Sequence, residues 1–118
     1  MVTLYGIKSC DTVRKARRWL DQHRIEYQYH DLREDGLSRE LAADWLEALG
    51  QDRLINRRST SWKALPAAVR DDLSDDRALE AILEHPTLVK RPLLSLGSDR
   101  HTGFSPERYQ ALFDQHTL

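Results

Sequence analysis

The stretch Leu4-Tyr-Gly-Ile-Lys-Ser-Cys-Asp-Thr-Val-Arg-Lys-Ala-Arg-Arg18 contains Cys10, the single cysteine of this 118-residue chain. The apolar run before Cys10 predicts a buried strand, and the amphipathic pattern after it predicts a helix with Val13, Ala16 and Leu20 on its core face. A thiol in the turn between them faces a helix N-terminus, where unpaired amide groups and the helix dipole favour an anion. Because the thiolate is the reactive form of cysteine, this position favours a nucleophilic thiol.

An inert, buried cysteine is the alternative interpretation, because a single free cysteine often behaves as a small hydrophobe. The neighbours of Cys10 are Ser9, Asp11 and Thr12, which are typical of loops and helix caps rather than of a core. Either Asp11 or Thr12 can cap the predicted helix. Three cations also lie close to the thiol in sequence: Lys8, Arg14 and Lys15. These neighbours favour a reactive thiol.

The composition is that of one globular domain, with 40% hydrophobic and 31% charged residues and a formal net charge of −1. This near-neutral charge gives no bias toward nucleic acids or acidic membranes, and no run of about 18 apolar residues predicts a spanning helix. The N-terminal residues lack the pattern of a secretory signal, and one cysteine cannot form an internal disulfide. We therefore expect a monomeric, cytoplasmic protein with no nucleic-acid or membrane partner.

Local patterns predict the order strand, helix, strand, then a helical region, then strand, strand and helix. The predicted strands are residues 2–7, 25–32, 93–96 and 100–104. The predicted helices run from Asp11 or Thr12 to about residue 24, from Ser38 to Gly50, from Thr60 or Ser61 to about Pro66, from Ser74 or Asp75 to His85, and from Ser105 onward. We expect the first two strands to be parallel and the last two to be antiparallel.

A proline interrupts the apolar segment that precedes the last two strands. Because proline cannot donate to a ladder, we place Pro92 at the start of the strand 93–96, with a cis bond between Arg91 and Pro92. The residues 97–99 then predict the hairpin turn that joins this strand to the next.

Four segments carry a resemblance to a known family: Tyr5 to Ala16, Leu54 to Leu65, His85 to Pro92, and Gly103 to Glu107. In this order they resemble the arsenate reductase-like (ArsC/Spx) family, and its YffB-type members in particular. The resemblance covers essentially the whole chain. It implies an α/β thioredoxin-like fold, with a mixed sheet in the order βαβ then ββα. It also implies a single domain over residues 1–118 with a helical insertion at about 37–86.

The resemblance implies that Cys10 is the nucleophile and that Arg91, beside cis-Pro92, faces the sulfur. The guanidinium of Arg91 then offers a fork of donors to an anionic substrate or to the thiolate. Glutathione is the expected co-substrate, and its carboxylates can pair with basic side chains. The candidate substrate-binding residues are Lys8, Arg14, Arg57, Arg58 and Pro92, in addition to Arg91.

The chain departs from the arsenate reductases of this family at three places. Those enzymes have a histidine where Gly6 stands, and their first substrate arginine aligns with Asn56. Their last substrate arginine aligns near residues 104–105, which are not cationic. The two arginines after Asn56 are candidates to replace the first one. With Arg91 as the one matched arginine, we expect a tetrahedral oxyanion such as arsenate to bind poorly.

The family's Spx-type regulators commonly carry Cys-X-X-Cys at the position of Cys10, whereas Val13 here excludes an internal disulfide switch. A thiolate at Cys10 would form a mixed disulfide, and an external thiol, with glutathione as the cytosolic candidate, would have to resolve it. Three functions stay open: a glutathione-dependent thiol reductase, an arsenate reductase coupled to glutathione and glutaredoxin, and an Spx-like protein-interaction module of the kind that binds RNA polymerase. The histidines lack metal-ligand spacing, so we expect neither a metal nor a bound prosthetic group.

Overall fold

The structure, a computed structural model, describes residues 2–116 and has an α/β architecture. Four strands form one mixed sheet in the order β2-β1-β3-β4. They are β1 (Val2–Gly6), β2 (Gln28–Asp31), β3 (Leu93–Leu96) and β4 (Asp99–Thr102). β1 and β2 are parallel, and the pairs β1–β3 and β3–β4 are antiparallel. The predicted strands and their directions are therefore confirmed, although β2 begins three residues later than its pattern predicts.

Helices connect and flank these strands in the described part of the chain. They are α1 (Asp11–Gln22), α2 (Arg39–Leu54), α3 (Thr60–Ala64), α4 (Ala67–Asp71), α5 (Asp75–Glu84), a 3₁₀ turn (Pro86–Leu88) and α6 (Pro106–His116). The predicted caps Ser38, Ser74 and Ser105 are confirmed, because each hydroxyl accepts an amide hydrogen bond from the first turn of its helix.

Two predicted caps are wrong. The N-cap of α1 is Cys10 rather than Asp11 or Thr12, because the helical conformation begins at the first residue after the cysteine. The N-cap of α3 is Ser59, whose hydroxyl accepts the amide of the third residue after it, and not one of the two hydroxyl residues that follow. The sequence patterns do not predict the short helix α4, since five residues carry too little periodicity to identify a helix.

Gly50 interrupts α2 rather than ending it. Its φ of 74° and ψ of 167° lie in a region that favours glycine, and helical structure resumes after it up to Leu54. The sequence therefore predicts the break correctly and misses the extra turn. The residue after this extra turn, Ile55, forms an isolated antiparallel β-bridge with Val89.

The chain divides into two compact units. The first consists of the segment that ends at Asp31 and the segment that begins at Arg91, and it holds the sheet, α1 and α6. The second is Leu32–Lys90, which contains α2 to α5. The single domain over 1–118 and the insertion limits of about 37–86 stay predictions.

The core of the first unit is an apolar cluster that joins the sheet to α1 and α6. Its buried members are Leu4, Ala16, Trp19, Leu20, Leu94, Leu96, Tyr109 and Phe113. The ring of Trp19 meets that of Tyr109 edge-on, with centroids 5.6 Å apart, so the two helices are in direct contact. The core face predicted for α1 is confirmed, since Val13, Ala16 and Leu20 are all buried.

The hydroxyl of Tyr109 lies inside this core without a partner. Tyr109 is 0% exposed, and within residues 2–116 no group forms a hydrogen bond with its hydroxyl oxygen. Burial raises the pKa of Tyr109 above its usual value, because the phenolate would be poorly solvated there. An unpaired buried hydroxyl opposes folding, so this side chain stabilises the core through its ring alone.

We expect Tyr109→Phe to raise the free energy of unfolding by about 1 kcal/mol at pH 7, since it removes only the unpaired hydroxyl. The advantage should grow above about pH 10, where tyrosine ionises in the unfolded chain. The raised pKa of Tyr109 means that wild-type stability is complete below that pH and is lost as the pH rises. Urea unfolding followed by circular dichroism at pH 7 and pH 10.5 measures both effects.

The control is Tyr27→Phe, because the Tyr27 hydroxyl accepts a hydrogen bond from Arg17 Nε at 3.2 Å. This variant should lose stability at pH 7. A Tyr109→Phe protein less stable than the wild type at pH 7 would contradict the account of the unpaired hydroxyl.

Candidate active site

Cys10 lies between β1 and α1, where the sequence predicts it. Its amide donates to the carbonyl of Ile7 at 3.1 Å, which closes a tight turn, and its own carbonyl accepts the amide of Arg14 at 3.1 Å, which starts α1. As N-cap it has an extended backbone (φ −86°, ψ 121°), and its side chain makes no capping hydrogen bond. The thiol is half-buried. The sulfur is thus placed at the first turn of a 12-residue helix without being sealed in the core.

Gly6 allows β1 and α1 to approach closely next to this turn. A Cβ atom at Gly6 would lie 2.7 and 2.8 Å from the two γ carbons of Val13, which is 0% exposed. Val13 belongs to the first turn of α1, so the contact fixes the start of the helix against the end of the strand. The histidine that arsenate reductases carry at the position of Gly6 would not fit without moving Val13.

Several chain segments meet at the edge of the sheet where the Cys10 turn begins. The carboxyl ends of β1, β2 and β4 and the amino end of β3 lie at this edge, because β1 and β3 are antiparallel and pair Tyr5 with Leu93. Continuing that register brings Pro92 and Arg91 alongside the end of β1. The amide of Gly103, just after β4, donates to the carbonyl of Pro92 at 2.9 Å and ties the fourth segment to the third.

Arg91 is a cation that the topology brings to this edge. The predicted cis bond between Arg91 and Pro92 is present. The Arg91 side chain is half-buried, and no described residue forms a hydrogen bond or an ion pair with its guanidinium. A half-buried guanidinium without a protein partner can bind a substrate anion with both of its parallel N–H groups.

Asp31 is a residue of this edge that the sequence analysis does not identify. It ends β2 and is 3% exposed. Its Oδ2 accepts the amide of Lys8 at 3.2 Å and the hydroxyl of Tyr29 at 3.4 Å. Its position next to the end of the predicted strand 25–32 was the available signal, but burial of the carboxylate depends on the tertiary fold.

The other two predicted cations of the first unit, Lys8 and Arg14, have exposed side chains. Arg14 forms an ion pair with Asp11, one turn earlier in α1. The hydrogen bond from Arg14 holds the pKa of Asp11 below its usual value. Arg14 therefore has a partner within its own helix and would have to leave it to bind a substrate.

Arg57 and Arg58 belong to the second unit. Arg57 Nη1 lies 3.2 Å from Asp52 Oδ1, and its guanidinium lies 5.5 Å from the centroid of the Trp62 ring. Asn56, which replaces an arginine of the arsenate reductases, uses its side-chain oxygen to accept the amide of Arg58 at 3.0 Å. Asn56 thus has a local role in a turn, and the binding roles of Arg57 and Arg58 stay predictions.

Two kinds of feature are absent from residues 2–116. No group of three or more His, Cys, Asp or Glu side chains is placed to hold a metal ion. No helix there has the length and apolar character needed to cross a membrane.

Comparison with known proteins relates the whole chain to one family. The sequence profile of the ArsC family matches residues 5–112. Among solved structures, a YFFB protein is 40% identical with a TM-score of 0.89, and the match covers 94% of this chain and 97% of that one. An arsenate reductase (ArsC) related protein from Brucella melitensis is 41% identical with a TM-score of 0.78, over 95% and 93% of the two chains.

A curated relative is the global transcriptional regulator Spx of Streptococcus agalactiae, strain 2603 V/R. It is 31% identical over 113 residues, which are 94% of this chain and 82% of that regulator. The expected α/β, thioredoxin-like fold of this family is therefore confirmed.

The close contact at Gly6 predicts a specific coupling with Val13. Gly6→Ala should lower the free energy of unfolding by about 1–3 kcal/mol, because the new methyl group overlaps both γ carbons of Val13. Val13→Ala alone should also destabilise, since it leaves a cavity. The double variant should be less destabilised than the sum of the single ones, because the methyl group added at position 6 fills the space that Val13 vacates. Urea denaturation of the four proteins measures the coupling, and strict additivity would show that the two residues do not limit each other.

Proposed function

Because the chain belongs to the ArsC family, we propose that it is a glutathione-dependent thiol reductase that acts through Cys10 as its single nucleophile. The observation that carries the proposal is the placement of a half-buried thiol as the N-cap of α1. Its side chain is not used as a cap, and the amides of the first turn of α1 can stabilise negative charge that develops on the sulfur during attack. The reaction belongs in a reducing compartment such as the cytoplasm, where glutathione is plentiful.

The reaction follows from the presence of one cysteine in the chain. The Cys10 thiolate attacks the glutathione sulfur of a mixed disulfide, and the substrate leaves as a thiolate that takes up a proton. Cys10 is then joined to glutathione. A second glutathione thiolate attacks the glutathione sulfur of this adduct, which releases oxidised glutathione and restores the Cys10 thiolate. In the net reaction, the mixed disulfide and one reduced glutathione give the substrate thiol and oxidised glutathione, with the proton of that glutathione passing to the substrate thiolate, and no second cysteine takes part.

Arg91 is the residue to which we assign the binding of a glutathione carboxylate. The register of β1 and β3 brings the backbone of Arg91 to the sheet edge of the Cys10 turn, and its guanidinium has no partner among the described residues. Lys8 and Arg14 are secondary candidates, since they are exposed and Arg14 is paired with Asp11. Pro92 connects Arg91 to β3 and so contributes to its placement.

Protein interaction is the second candidate function, and the 31% identity to the regulator Spx supports it. Such a module would bind a protein partner without using the thiol, so its binding would survive Cys10→Ser. Arsenate reduction receives support from the name of the Brucella relative. The local roles of Gly6 and Asn56 weigh against it, because Gly6 has no side chain and the amide of Asn56 carries no positive charge for an oxyanion.

Incubation with oxidised glutathione should produce one glutathione adduct on Cys10, because its thiolate attacks the disulfide. Intact-mass spectrometry followed by peptide mapping measures the adduct, which dithiothreitol should remove. Cys10→Ser should give none. A wild-type protein that forms no adduct would argue against the reductase, and a partner captured equally by wild type and Cys10→Ser would favour the interaction module.

Arg91→Gln should raise the KM for glutathione about tenfold or more with a smaller change in kcat, because a charge-assisted hydrogen bond to the carboxylate is lost. The assay follows reduction of the mixed disulfide of glutathione and 2-mercaptoethanol. The matched control is Arg18→Gln, which neutralises an exposed cation of α1 outside the site. Equal KM values for all three proteins would remove Arg91 from the binding site.

A further inference from the structure

A chain of contacts runs from the middle of α1 across β2 to the turn that holds Cys10. Arg17 Nε donates to the hydroxyl of Tyr27 at 3.2 Å, and its guanidinium carbon lies 4.0 Å from the centroid of the Tyr29 ring. The hydroxyl of Tyr29 donates to Asp31 Oδ2 at 3.4 Å, and the amide of Lys8 donates to the same oxygen at 3.2 Å. The Asp31 carboxylate thus connects β2 to the turn before Cys10, and Tyr29 links the carboxylate to Arg17 of α1.

Asp31 is the one charged residue that is buried in the described part of the chain. Burial of a carboxylate is costly unless hydrogen bonds replace the lost water, so such a residue is retained where its contacts matter. Its contact with Lys8 is to the backbone amide, not to the ammonium group. The carboxylate therefore fixes the course of the chain at Lys8, whatever the side chain of Lys8 does.

Lys8 is the second residue of the turn that ends at Cys10. The hydrogen bond from the Cys10 amide to the Ile7 carbonyl closes the turn, and the Asp31 carboxylate holds the turn against the end of β2. With both contacts in place, the chain enters α1 at Cys10 with its extended N-cap conformation. Without Asp31 the turn would keep its internal bond but lose this hydrogen bond to the end of β2.

We propose that Asp31 is a positioning residue for the nucleophile: its carboxylate holds the Lys8 amide and thereby keeps the Cys10 sulfur at the N-terminus of α1. That Asp31 affects catalysis rests on the proposed function of Cys10 as the nucleophile. Tyr29 and Arg17 support the carboxylate from the strand and the helix. Position 31 needs a side-chain oxygen that can accept the Lys8 amide, and asparagine also supplies one.

The test compares the second-order rate constants for reaction of Cys10 with oxidised glutathione in wild type, Asp31→Ala and Asp31→Asn. We expect Asp31→Ala to react about tenfold more slowly, because a displaced sulfur loses its attack geometry. Asp31→Asn should stay within about threefold of wild type, since its amide oxygen can still accept the Lys8 N–H. Leu96→Ala, a core substitution in the same unit, controls for a general loss of stability and should keep the wild-type rate.

Hydrogen exchange of the Lys8 amide, measured by NMR, keeps the test valid if Asp31→Ala does not fold. The amide should be protected in wild type and in Asp31→Asn. An unprotected Lys8 amide in wild type would overturn the proposal. An Asp31→Ala protein that reacts at the wild-type rate would also overturn it. So would an Asp31→Asn or a Leu96→Ala protein whose reaction is slowed as much as that of Asp31→Ala. If wild-type Cys10 does not react with oxidised glutathione, the proposed function fails instead, and alkylation by iodoacetamide then supplies the rates for the same variants.

Discussion

The close approach of β1 to the first turn of α1 is the constraint on which the candidate site depends. A side chain at Gly6 would overlap the γ carbons of Val13, so the strand end and the helix start can touch only because position 6 is glycine. This contact leaves room for a turn of four residues, Ile7 to Cys10, between the two elements. The cysteine becomes the N-cap as a consequence, and its sulfur is placed where backbone amides favour negative charge.

The sheet topology supplies the rest of the site around that turn. Because β3 runs antiparallel to β1, its first residues lie beside the end of β1 and bring Arg91 to the same edge. Because β2 runs parallel to β1, it ends at the same edge, and its last residue, Asp31, accepts the Lys8 amide of the turn. Cys10, Arg91 and Asp31 thus occupy chain positions at one edge of the sheet although they are far apart in sequence, and an apolar cluster joins this sheet to α1 and α6.

Local signals explain which features the sequence could predict. The strand patterns and the position of Pro92 each depend on a few neighbouring residues, and the structure confirms both. The sequence predicts Ser74 or Asp75 as the cap of α5, and Ser74 is the cap; it predicts a helix end at Gly50, which instead interrupts α2. The sequence favours Asp11 or Thr12 as the cap of α1 because cysteine is a poor capping residue, whereas the tight turn forces the helix to begin earlier. Asp31 escapes identification as a site residue because its importance comes from a contact 23 residues away along the chain.

The rate of Cys10 alkylation by iodoacetamide at pH 6 tests the central claim most directly, with the same chain unfolded in urea as the reference. If the first turn of α1 activates the sulfur for attack, the native protein should react at least about tenfold faster than the unfolded chain, since the ordered amides of that turn exist only in the folded protein. A native rate equal to or below the unfolded rate would contradict the account, because the fold would then be shielding the thiol rather than activating it.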